Sequence, residues 1–76
     1  MNNTRRKQIA AIQDKLSQLA EDLQLIFDAE QEAFQNLPES IQYGERGERM
    51  EEVIDSLEQA IFAMEEANEH MENAKE

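Results

Sequence analysis

Seventy-six residues, no cysteine and a net charge of −11 allow one small domain at most and exclude disulfides and thiolate metal sites. A surface this acidic repels nucleic acid and anionic membranes and favours partners with basic surfaces. The longest apolar runs, Ile9–Ile12 and Leu25–Phe27, are too short to span a bilayer. The basic start runs at once into Gln13, Asp14 and Lys15 instead of a signal-peptide core, so a cytoplasmic location is expected.

The first half predicts one long helix, about 4–36. Asn2, Asn3 or Thr4 can cap its start. Ile9, Ile12, Leu16, Leu19, Leu23 and Ile26 recur at alternating steps of three and four, the spacing of a helix-packing seam. The series continues through Glu30, Ala33 and Leu37. Phe27 and Phe34 lie beside it and widen the apolar stripe.

A bend is expected at 37–44. Pro38 disfavours helix at Leu37 and removes a backbone donor. It suits the first position of a short helical turn holding Glu39 and Ser40, with Ile41 plugging the core. Gly44 is expected to adopt a left-handed conformation that stops the turn.

The second half predicts a helix over about 45–73. Its seam reads Met50, Val53, Leu57, Ala60, Met64, Ala67, Met71 and Ala74. Long and small residues alternate from Leu57 onward, which favours close helix approach. Ile54, Ile61 and Phe62 widen the stripe to one side. The fold class is therefore all-α: residues 1–76 form a single antiparallel hairpin of two amphipathic helices, each about 45 Å long at 1.5 Å per residue. With these two seams packed together, Phe27, Phe34, Ile54, Ile61 and Phe62 still need cover. A homo-oligomer would supply it, a dimeric four-helix bundle or a higher assembly.

The unusual chemistry lies at the bend. Arg46 and Arg49 share a helix face at a helix start, where the macrodipole disfavours cations. Gly47, between them, gives up helix stability and permits close approach of a ligand or another backbone. Tyr43 adds a ring and a hydroxyl. Tyr43, Arg46, Gly47 and Arg49 are thus candidate binding residues for a carboxylate or phosphate. The plainer reading pairs the arginines with Glu39, Glu45, Glu48, Glu52, Asp55 or a facing chain's Glu30.

No nucleophile–base set is present in the sequence, and no cofactor or metal is expected. His70 stands alone beside Glu66 and Glu69, without the Glu-x-x-His spacing of di-iron bundles. The expectation is a protein that is not an enzyme. Residues 39–76 hold twelve acids against three bases, and Met50–Ala74 hold eight acids with no Lys or Arg. One face carrying Glu51, Glu58, Glu65 and Glu72 could mimic a nucleic acid. The eight carboxylates over Met50–Ala74 together give a charge every 4.5 Å or so, at 1.5 Å per residue, which is sparser than the roughly 1.7 Å of duplex DNA.

Residues 37–60, "LPESIQYGERGERMEEVIDSLEQA", resemble a set of short glutamate-rich helical proteins of bacteriophages and prophages. Members share an "LPESLQ…SERGE" bend followed by "ME.AID.LEEA". Here the matching residues are Leu37, Pro38, Glu39, Ser40, Gln42, Glu45, Arg46, Gly47, Glu48, Met50, Ile54, Asp55, Leu57, Glu58 and Ala60. The upstream "DAEQEAFQN" is also similar. The resemblance implies phage-related origin and no particular activity. It directs the functional expectation to a non-catalytic protein in the bacterial host cell, one that occupies a host component, either a defence-related protein or a small anionic signal. A nucleic-acid mimic and a virion scaffold are the alternatives.

Overall fold

The computed structural model describes Met1–Glu76. It holds α1 (Asn3–Gln35), the single turn α2 (Glu39–Gln42) and α3 (Glu45–Ala74). The side chain of Asn2 caps α1, accepting from the Arg5 N–H at 2.8 Å. The long helices run antiparallel and pack along their length, giving a rod of 58 × 15 × 11 Å. No helix is long and apolar enough to cross a membrane.

Each long helix carries three parallel rows of residues, every row repeating at seven. A shared row, Ile9, Leu16, Leu23 and Glu30 on α1, continued by Leu37 in the bend, with Met50, Leu57, Met64 and Met71 on α3, is half-buried throughout. An inner row lies beside it, Gln13, Ala20, Phe27 and Phe34 on α1 with Gly47, Ile54, Ile61 and Asn68 on α3, and none of its members is exposed. An outer row lies on the other side, Ile12, Leu19, Ile26 and Ala33 on α1 with Val53, Ala60, Ala67 and Ala74 on α3.

The expected seam combined the shared and outer rows. The hairpin instead closes on the shared and inner rows. Ile54 and Ile61 are 8% and 9% exposed, against 53%, 55% and 54% for Ile12, Leu19 and Ile26. Thus Ile54 and Ile61 are buried and Phe27 and Phe34 half-buried within the chain, and Phe62 of the expected flank stays exposed. The reason is burial per layer. The inner row of α3 offers two isoleucines where the outer row offers alanines, and each added buried CH₂ is worth about 0.8 kcal/mol.

That choice requires two polar residues in the seam. Gln13, 9% exposed, donates through Nε2 to the Asn68 carbonyl at 3.3 Å and to Glu72 Oε2 at 3.1 Å. Asn68 Oδ1 is buried without a hydrogen-bond partner. At the tail, Arg6 Nε donates to the Lys75 carbonyl at 2.6 Å, placing a cation at the C-terminus of α3, where the helix dipole favours one. Lys75 Nζ lies 2.9 Å from Glu72 Oε2. Lys75 and Gln13 together hold the Glu72 carboxyl below the usual carboxylate range.

The bend closes the other end. Pro38 is the cap residue of α2, one position before its first helical residue, and its carbonyl accepts from the Ile41 and Gln42 N–H groups at 2.9 and 3.0 Å. Gln42 Nε2 lies within hydrogen-bonding range of the carbonyls of Phe34, Gln35 and Leu37, at 3.1, 3.3 and 3.0 Å. The Gln35 and Leu37 carbonyls have no backbone donor where α1 ends and the bend begins, and the Phe34 carbonyl also accepts from the Leu37 N–H at 3.1 Å. Gly44 caps α3 in an extended conformation, φ −94 and ψ −173. The left-handed turn expected there is not formed, because α2 ends in right-handed geometry at Tyr43 and the chain passes directly into α3.

Gly47 is buried under this turn. A Cβ at that position would lie 1.9 Å from the Gln42 carbonyl oxygen and 2.5 Å from its carbon. Gly47→Ala gains about 1 kcal/mol of helix propensity, yet forces a backbone apart. Overpacking of this kind costs about 1–3 kcal/mol, so a lower melting temperature is expected; a rise would show that α2 does not pack on Gly47. A second expectation concerns Glu72. Its lowered carboxyl pKa contributes stability that is fully present above the unfolded value of about 4.3. That contribution is lost as pH falls through the lower folded value. The difference in melting temperature between the wild type and Glu72→Gln should therefore be positive at pH 7 and shrink in acid. A difference independent of pH would contradict the Lys75–Glu72–Gln13 closure.

Candidate binding site at the bend

The bend brings together part of the predicted set. Arg46 and Arg49 are exposed on the first turns of α3 and, with Glu45, line a shallow depression of about 220 Å³. Neither arginine forms an ion pair. The chain's one salt bridge is Lys75–Glu72. The pairing expected with Glu39, Glu45, Glu48, Glu52 or Asp55 is therefore absent in the single chain. Glu45 and Glu48 lie in the first turn of α3, where exposed carboxylates already complement the positive helix end. A surface ion pair there would gain only about 0–1 kcal/mol.

Tyr43 is the C-cap of α2 and 82% exposed. It does not line the Arg46–Arg49 depression. Gly47 departs from its expected role as an open approach for a ligand. The chain's own Gln42 backbone occupies the space beside it, so the glycine builds the site by letting α2 pack on α3. A glycine in a helix signals close approach, and the sequence alone left open which group approaches.

Arg49 also borders a second groove of about 390 Å³ on α3, lined with Glu52, Val53, Ser56 and Leu57. The guanidinium pair is thus continuous with the outer apolar row. Two guanidiniums offer fixed forks of donors suited to carboxylate or phosphate oxygens. The Glu45 carboxylate on the same rim offsets one of the two positive charges.

The acidic residues fall into two groups. Glu51, Glu58 and Glu65 border grooves on one side of the hairpin, beside Gln31 and Phe34, Gln24 and Phe27, and Ser17 and Ala20. Glu72 continues the same seven-residue row but is engaged by Lys75 and Gln13. Seven residues of helix separate successive members by about 10.5 Å, far wider than the roughly 1.7 Å per charge of duplex DNA. His70 is exposed. No three His, Asp or Glu side chains gather in ligating positions.

Gln42 and Gln13 were not singled out by sequence reasoning. Gln42 is polar and sits in a turn, and nothing in its spacing marks it as a cap of the preceding helix. Gln13 could have been found from its position seven before Ala20 and fourteen before Phe27. No protein-family model, curated protein or solved structure matches this chain.

Proposed function

We propose that this chain is a non-catalytic binding protein of phage-related origin that occupies a component of the bacterial host. On this reading the bend engages an anionic group, a carboxylate or phosphate, of a host protein or small signal. The observation that carries it is the state of Arg46 and Arg49. Both are exposed and without ion pairs, in a chain with 18 acids and 7 bases. Two that remain free on one helix face are available to an incoming anion. Tyr43, on the adjoining turn, offers an aromatic face and a hydroxyl to the same partner.

The test uses melting-temperature shifts with a panel of nucleotides, together with capture of host proteins from bacterial lysate. Binding to the wild type should be lost in the double variant Arg46→Ala, Arg49→Ala, with helicity and mass unchanged. Each charge-assisted hydrogen bond removed is worth about 1.5–3 kcal/mol, so the loss should reach tenfold or more. Retained binding, or unfolding of the double variant, would return these arginines to a structural role.

A further inference from the structure

We propose that the outer face of the hairpin binds a second copy of this chain, with both bends at the same end of a four-helix bundle. This inference is independent of any ligand at the bend. The face consists of the shared and outer rows of both helices. Because the helices are antiparallel and meet on the inner row, their two outer rows flank the same side of the hairpin. Between Ile9 and Ala74, the shared and outer rows contain one acid, Glu30, among the chain's 18. The remaining carboxylates project from other positions, so two copies can approach here without opposing their net charge of −11 each.

The area suffices. A footprint of 58 by 15 Å amounts to about 900 Å² per copy, against about 800 Å² per partner in a standard stable interface. Need is also evident. Only four of 76 residues are buried in the single chain, and chains of this size commonly require association.

The face is self-complementary, as a twofold interface must be. The α1 outer row is large, Ile12, Leu19 and Ile26, then small at Ala33. The α3 outer row is small, Ala74, Ala67 and Ala60, then larger at Val53. The register is fixed by Gln13 against Asn68 and Glu72, and by the shared grooves of Leu16 with Met64 and Phe27 with Ile61. It sets Ile12 level with Ala74, Leu19 with Ala67, Ile26 with Ala60 and Ala33 with Val53. With both bends at one end, α1 of each copy meets α3 of the other at these same levels, and every layer pairs a large side chain with a small one. With bends at opposite ends, the twofold axis would cross the rod and set α1 against the partner's α1 and α3 against the partner's α3, so that Leu19 would meet the partner's Ile26 and Ala60 the partner's Ala67, one contact crowded and one empty.

Sedimentation at micromolar concentration should give twice the chain mass of 8.8 kDa. Leu19→Glu should abolish the dimer, with or without loss of helicity. Leu25→Glu, equally apolar, 69% exposed and off this face, should leave it intact. A spin label on Glu45→Cys should report a separation no larger than the bundle width, about 20–30 Å from helices 10–12 Å across. Monomeric wild type, equal effects of the two glutamate variants, a mass above that of a dimer, or a label separation approaching the 58 Å rod length would each overturn the proposal.

Discussion

The hairpin depends on a single constraint: a helix of this chain presents one half-buried row that two neighbours could share, and only one flanking row can be folded inward. Leu16 and Leu23 on α1, and Leu57 and Met64 on α3, belong to either arrangement. What decides is the volume carried by the flanks. Phe27, Phe34, Ile54 and Ile61 on one side outweigh the alanines of α3 on the other. Once they turn inward, Gln13 and Asn68 must follow at the tail, because a rigid helix cannot rotate one layer alone. Gln13 is accommodated by its bonds to α3. Asn68 leaves a buried carbonyl oxygen unpartnered, a penalty of about 1–3 kcal/mol that the aromatic and isoleucine layers offset.

The two ends follow from the same choice. At the bend, the inward row reaches α3 at Gly47, the one residue whose lack of a side chain lets α2 lie against the helix. At the tail, it reaches Lys75 and Arg6, and these two cations close the C-terminus of α3. Apart from Glu30 in the shared row, the acids lie on the remaining surface, with Glu72 drawn into the closure. Arg46 and Arg49 are left over: they lie beside the bend and have no carboxylate partner within the chain.

The existence, direction and length of both helices were legible from periodicity, and the break from Pro38 and the first glycine. The seam was not. The shared row repeats at seven with either flank, so spacing alone cannot choose between Ile12–Leu19–Ile26 and Gln13–Ala20–Phe27. On α1 the apolar count even favours the wrong flank, since Gln13 interrupts the right one. The answer lies in α3, where Ile54 and Ile61 outweigh Ala60 and Ala67, and a pattern read one helix at a time misses that comparison. At the bend, Tyr43, Arg46 and Arg49 were found because they violate local expectations. Gly47 was found for the same reason, but its neighbour proved to be Gln42, a contact across the turn that no local pattern encodes.

The shared and inner rows, and not the shared and outer rows, close each chain on itself. Methyl and aromatic proximity by nuclear magnetic resonance tests it most directly, with a small fraction of labelled chain in unlabelled excess so that only contacts within one chain are seen. Contacts are expected to join Phe27 to Ile61 and Phe34 to Ile54, with the methyls of Ile12, Leu19 and Ile26 lacking contacts to Val53 and Ala60 of the same chain. The reverse pattern, Ile26 against Ala60 with Phe27 and Ile61 apart, would contradict it.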